Sequence, residues 1–220
     1  MKVLVVGATG GSGRAVVAEL LERGHAVTAF SRHASGLATE TRGDLRTIDG
    51  DATDPDAIVG AVPGHDAVVV TLGISENPAR VRLLGPAHTA ADVRSRGIGN
   101  VVAAMKRSGV TRLVVQSTYG VGETASRLAL VDRIFFAVLI KQQAADHAEQ
   151  ERIVRASGLD WTIVQPVHLT DSPAYEDEFV SAAGEVKSRK VSRNTVGRVV
   201  ADAATESSYA GRSIAVSALR

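Results

Sequence analysis

Apolar positions along this chain follow two alternating rhythms. Lys2–Val6 is a short, β-branched-rich run without a breaker, as expected of a strand buried on both faces. From Arg14 to Arg23 the apolar residues Val16, Val17, Leu20 and Leu21 fall at i, i+3 and i+4, which predicts a one-sided helix ended by Gly24. His25–Phe30 is the next strand. The same alternation continues to the end of the chain. Strands are predicted within Gly43–Gly50 and over His65–Gly73, Thr111–Ser117, Trp161–Pro166 and Ser213–Ser217, the last closing the sheet. Helices are predicted over Asp54–Val62, Ile98–Ser108, Gln142–Ser157 and Val196–Thr205, the final one capped by Asn194 or Thr195. Glu185–Ser192 is a short basic segment expected to form a strand at the rim of a pocket. Alternating strands and helices predict an α/β fold, a doubly wound parallel sheet flanked by helices in a single domain over residues 1–220.

The turn between the first strand and first helix carries a specific chemistry. Gly7-Ala8-Thr9-Gly10-Gly11-Ser12-Gly13 has the spacing G-x-x-G-x-x-G. Gly7 permits a sharp exit from the strand, Gly10 a close approach of ligand to backbone, and Gly13 tight packing of helix on strand. Free N–H groups at the first turn of the helix, around Gly11 and Ser12, suit a pyrophosphate. No Gly-Lys-Ser/Thr follows, which argues against a phosphate-hydrolysing loop. The second strand ends in Ser31-Arg32-His33 with no carboxylate to receive a ribose hydroxyl. A permanently charged arginine beside a hydroxyl suits an extra phosphate, so NADP is expected over NAD.

Further candidates sit at the predicted strand ends, where such a sheet opens its crevice. Asp51-Ala52 follows the third strand and is placed for the adenine side, although Asp51 or Asp54 would serve equally well to cap the next helix. Leu72 and Gly73 end the fourth strand, where a side chain on Gly73 would crowd a nicotinamide ribose. Ser117-Thr118-Tyr119 end the fifth, with alternate members expected to face the nicotinamide. Pro166 releases the sixth strand toward the substrate side, and His168 follows it, suited to proton relay or to hydrogen-bonding a carboxylate. Lys141 and His147 are possible site groups that read more simply as a solvated lysine and a histidine on a helix surface. A tyrosine with lysine four residues on would mark a proton-donating pair. Here the corresponding positions are Tyr119/Glu123, Tyr175/Phe179 and Tyr209/Ser213, so the pair is absent.

The long stretch Ile74–Gly97 breaks the rhythm. Its arginines Arg80, Arg82, Arg94 and Arg96 either attract an anionic substrate or form a solvated face. His88 and Asp92 lack the remaining ligands of a metal site, and no metal is expected. Leu128–Ile140 (LALVDRIFFAVLI) is too short to span a bilayer. It could wall a pocket, act as a lid or form a contact, which leaves monomer and homodimer both open.

Composition excludes some classes. The chain has 220 residues, 45% hydrophobic and 22% charged, with a formal net charge of +1 that gives no reason to expect nucleic acid. It has no cysteine, which removes disulfides, thiolate catalysis and thiolate metal sites. The first strand starts at once, leaving no room for a leader, so a cytoplasmic protein is expected.

GATGGSGRAVVAELLERGHAVTAFSR, GHDAVVVTLG and SGLDWTIVQP together resemble the atypical short-chain dehydrogenase/reductases, Rossmann-like NAD(P)-binding proteins without the tyrosine–lysine pair. GIGNVVAAMKRSGVTRLVV, DHAEQERIVRASGLDW, QPVHLTD and SSYAGRSIAVS resemble the flavin reductase/biliverdin reductase B type within them. The resemblance implies that Gly7, Thr9, Gly10 and Gly13 hold the pyrophosphate and that Arg32 takes the 2′-phosphate. It places Asp51 at the adenine, Leu72 and Gly73 along the path to nicotinamide, Thr118 beside the nicotinamide, and His168 at the substrate pocket. The turn Thr118–Gly122 and the segment LALVDRIFFAVLI depart from that type, and both border the pocket, which is expected from loops about 74–97, 118–141 and 167–192.

The implied activity is hydride transfer from NADPH to a conjugated small-molecule acceptor, a flavin or quinone, which takes its proton from water and needs positioning more than a protein acid. A non-catalytic NADP-binding sensor and a reductase of another small carbonyl or tetrapyrrole-like substrate are the rivals. An epimerase is disfavoured because the chain lacks a large C-terminal substrate lobe.

Overall fold

The computed structural model describes residues 1–37, 44–73, 90–128, 141–172 and 177–220, apart from the side chain of residue 141. Five α-helices are found among the described residues: α1 (Gly11–Glu22), α2 (Pro55–Ala61), α3 (Val93–Ser108), α4 (Lys141–Arg155) and α5 (Arg193–Thr205). The strands are β1 (Lys2–Val6), β2 (Ala26–Ser31), β3 (Leu45–Asp49), β4 (Ala67–Val70), β5 (Arg112–Gln116), β6 (Asp160–Pro166), β7 (His168–Thr170), β8 (Glu178–Ser181), β9 (Lys190–Ser192) and β10 (Arg212–Ala218).

Eight strands form one sheet in the order β3-β2-β1-β4-β5-β6-β10-β8. Its pairings are parallel except that of β8 with β10. The chain leaves β1 toward β2 on one side and returns to β4 on the other, which opens a crevice at the C-terminal ends of these central strands. Each central strand is buried on both faces, and alternate residues serve different cores. Val3, Val5, Val69 and Val114 pack with α1 and α5, while Leu4, Val6, Val68, Val70 and Val115 pack with α2 and α3.

Several expectations need correction. The sheet does not close on the last strand: β8 lies outside β10 as an antiparallel edge. Glu178–Ser181 is four residues long and only partly buried, so it carries no strong alternating signal. Residues Val93–Gly97, read as loop, are the first turns of α3. The N-terminus of that helix is capped from outside, because Asp146 of α4 accepts from the backbone N–H of Arg94 at 3.1 Å and of Ser95 at 2.9 Å. The cap of α5 is Ser192, whose hydroxyl accepts from the N–H of Thr195, not Asn194 or Thr195. Only Lys190–Ser192 of the basic segment is a strand, and it pairs with β7 in a separate two-stranded ribbon. No helix among the described residues is long and apolar enough to cross a membrane. Arg80, Arg82, His88, Tyr175 and the apolar segment beyond Leu128 lie outside the described residues.

Candidate functional site

A cleft of about 640 Å³ opens at the C-terminal ends of β1, β2, β4, β5 and β6. It is lined by Gly7, Thr9, Gly10, Gly11, Ser12, Ser31, Arg32, Asp51, Ala52, Leu72, Gly73, Ser117, Thr118, Pro166 and His168. The expected site residues are thus brought together with one exception, Gly13. A Cβ on Gly13 would lie 2.2 Å from the Gly7 carbonyl oxygen, so this glycine seats α1 on the turn and does not line the cleft. Gly7 is fixed twice over: its φ is +88°, and a Cβ would meet the Thr71 backbone at 2.9 Å. Around Gly10 the nearest atom to a Cβ would be the Gly7 oxygen at 3.5 Å, so protein atoms leave space there.

The helix ends show what this space suits. Side chains cap α2, α3 and α5, through Asp54, Asp146 and Ser192. No side chain caps α1, and its N-cap residue Gly10 faces the cleft. Three lining residues also carry a buried polar atom without a partner among the described residues: Ser31 Oγ, Gln116 Oε1 and Arg94 Nε. Such atoms are costly unless satisfied by water or a ligand. An open helix start with unmatched polar groups along the same wall fits a dinucleotide, with its phosphates at the glycine turn. Gln116 Nε2 donates to Ser12 Oγ at 3.0 Å, tying the end of β5 to the first turn of α1.

At the β2 end of the cleft, Arg32 and His33 are exposed beyond the buried Ser31. The two readings of the aspartates divide between them. Asp54 caps α2 by accepting from the N–H of Asp56. Asp51 lines the cleft, and its carboxylate accepts from both the N–H and the hydroxyl of Thr53 at 2.8 Å. The backbone bond from Thr53, assisted by its hydroxyl and by Arg32 and Arg96, lowers the Asp51 pKa against the opposing effect of burial.

At the far end, the structure assigns weight differently from the sequence. His147, read as a helix-surface residue, lines the cleft, and its Nδ1 lies 3.4 Å from the buried Ser117 hydroxyl. Burial first, then the charge of Arg94, push its imidazole well below the ordinary histidine range. Arg94 is neither a solvated residue nor a loop residue: it is buried on α3, 3.4 Å from Asp146, and lines the cleft. Burial lowers its pKa against the opposing effect of Asp146. Arg96 is exposed and pairs only loosely with Asp92, at 4.0 Å. Thr118 lines the cleft beside Ser117, while the Tyr119 hydroxyl turns away and donates to the Gly184 carbonyl at 3.3 Å. Burial raises the Tyr119 pKa, with Arg127 opposing. His168 is exposed at the start of β7 on the cleft rim. A side chain on Gly73 would meet Arg94 at 3.6 Å, an ordinary contact.

Of the two alternatives for Arg94, a substrate-attracting group or a solvated face, its place in the cleft wall removes the second, whereas Gln116 and Arg193 are lining residues that the sequence reading did not name. Gln116 carried a signal, since it is the polar last residue of an otherwise apolar strand. Arg193 carried none, because it belongs to a helix start that the spacing placed at Val196.

Comparison with known proteins places the chain. A family model described as NAD(P)H-binding matches residues 7–207. A chloroplastic protein of Arabidopsis thaliana is 28% identical over 204 residues, covering 92% of this chain and 71% of its own length. The 2-alkyl-3-oxoalkanoate reductase of Stenotrophomonas maltophilia is 38% identical over 127 residues, 57% of this chain and 36% of the reductase, so this chain spans little more than a third of that protein. Among solved structures, a Rossmann-fold NAD(P)-binding family protein from Shigella flexneri superposes with a TM-score of 0.69 at 26% identity, covering 99% of this chain and 93% of its own.

Proposed function

The chain belongs to the NAD(P)H-binding family, and from that premise we propose that it is an NADPH-dependent oxidoreductase acting on a conjugated small molecule, an oxidised flavin or a quinone. When bound, the cofactor supplies a hydride from C4 of its nicotinamide. Arg32 and Ser31 receive the 2′-phosphate, the α1 turn receives the pyrophosphate, and Ser117, Thr118, Leu72 and Gly73 position the nicotinamide. His168 contacts the acceptor from the rim.

One observation carries this reading. The hydroxyl–imidazole contact at the far end of the cleft uses an imidazole that burial and Arg94 hold uncharged. An imidazole held uncharged has no imidazolium proton to give to the alkoxide that hydride addition to a simple ketone creates. A conjugated ring spreads that charge over its own atoms and takes its proton from water, so the residues here need only bind, orient and exclude.

The experiment is a titration with NADPH and NADH, followed by FMN, FAD and a simple quinone while the nicotinamide absorbance is recorded. Tighter binding of NADPH and prompt, acceptor-dependent loss of the band support the proposal. Tight binding without turnover across the panel would replace the enzyme by a cofactor sensor.

A further inference from the structure

We infer that Arg193 is a binding residue for the cofactor's pyrophosphate and that Asp171 competes with the cofactor for it. The inference rests on NAD(P)H binding alone and is independent of the acceptor.

The β7–β9 ribbon delivers the residue. Its register pairs His168 with Lys190, Leu169 with Val191 and Thr170 with Ser192. Asp171 and Arg193 immediately follow the two strands, and their side chains form an ion pair. Arg193 is also the first residue of α5, which lies very close to α1: a Cβ on Gly197 would sit 2.9 Å from the Ala15 backbone. This proximity carries the arginine stem across the glycine turn. Its Cδ and Nε lie 2.8 Å from where a Cβ on Gly11 would be, and Gly11 is the first residue of the helix that no side chain caps. Arg193 lines the same cleft as Gly10 and Gly11.

Its present partner holds it weakly. The Asp171 side chain is 88% exposed, whereas that of Arg193 is 29% exposed. An ion pair with so open a partner is largely screened by water. A diphosphate at the glycine turn offers the planar guanidinium two-pronged, charge-assisted hydrogen bonds in a less solvated place. Local architecture does not need the arginine, since the α5 cap is the Ser192 hydroxyl. The glycine turn supplies dipoles but no full charge, and Arg193 supplies that charge from the opposite side.

The test compares two ligands on Arg193→Gln, Arg32→Gln and Asp171→Asn, each in the full chain. NADPH binding is followed by nicotinamide fluorescence. Binding of 2′-AMP, which has the 2′-phosphate and no pyrophosphate, is followed by displacement. Arg193→Gln is expected to raise the NADPH Kd roughly ten- to a hundredfold and leave that of 2′-AMP unchanged. Arg32→Gln weakens both. Asp171→Asn, which removes the competitor, is expected to tighten NADPH. An NADPH Kd within about twofold of the parent in Arg193→Gln, or equal weakening of 2′-AMP, would overturn the inference. So would loss of NADPH affinity in Asp171→Asn, which would make the pair a strut; this variant decides the matter even if Arg193→Gln does not fold.

Discussion

The Nδ1 of His147 lies 3.4 Å from the Ser117 hydroxyl, joining α4 to the end of β5 in the wall of the cleft. Burial and the nearby Arg94 keep this imidazole uncharged far below the pH at which a solvated histidine titrates. An unfolded chain protonates the same residue below about pH 6.5. Below that value the unfolded state therefore binds more protons than the folded one, and the His147 contribution to stability is lost as pH falls. His147→Gln should flatten the decline of the urea midpoint between pH 6.5 and 5, approximate bounds set by the unfolded-state value. Equal slopes in parent and variant would show that His147 is protonated in the fold.

The glycine turn separates folding from binding. Gly13→Ala drives a Cβ to 2.2 Å from the Gly7 oxygen and should cost roughly 2–4 kcal/mol of stability, read in urea unfolding. Gly10→Ala meets nothing closer than 3.5 Å and should fold with a near-parental midpoint. Its methyl group occupies the space facing the cleft, so its NADPH affinity should fall at least tenfold, by about 1.4 kcal/mol or more.

Cofactor choice is expected to rest on Arg32, which follows β2 on the cleft wall. Arg32→Ser should weaken NADPH roughly tenfold and leave NADH within twofold, as expected of one largely solvated charge contact. Parallel fluorescence titrations read both numbers.

Arg112, by contrast, belongs to the scaffold. Its buried guanidinium donates from Nε to the Ala203 carbonyl at 3.0 Å and from Nη2 to the Thr162 hydroxyl at 2.8 Å, and pairs with Asp160 at 3.1 Å. Arg112→Met leaves the α5 carbonyl end and Asp160 without their donor and should cost roughly 2–4 kcal/mol, with unchanged NADPH affinity in the folded fraction.

The first half of the fold is legible in the sequence because local rules and tertiary structure agree there. Lys2–Val6, the glycine turn and α1 each carry their own signal in residue type and spacing. Legibility fails where a partner far along the chain decides. The early start of α3 depends on Asp146, some fifty residues on, taking the place of a local cap. β8 exists because it lies beside β10, not because its four residues prefer a strand. His147 looked like a surface histidine since α4 is polar on most of its length, and only the approach of β5 reveals the side it presents to Ser117. The gathering of the expected residues in one cleft was legible because strand ends on a sheet of this order converge on one crevice. Arg193 was not, because its place depends on how closely α5 approaches α1.

We propose that the cleft directs hydride to a conjugated acceptor without a protein acid. The most direct test presents NADPH with a naphthoquinone and with a tetralone of the same ring skeleton, following loss of nicotinamide absorbance in the parent protein and in Ser117→Ala. Rapid consumption is expected with the quinone, none with the tetralone, and a quinone kcat/KM in Ser117→Ala within about tenfold of the parent, less than a general acid–base role would cost. Turnover of the tetralone, or a loss on the quinone of about a hundredfold or more in Ser117→Ala, would contradict it and make the Ser117–His147 contact the proton donor of a ketone reductase.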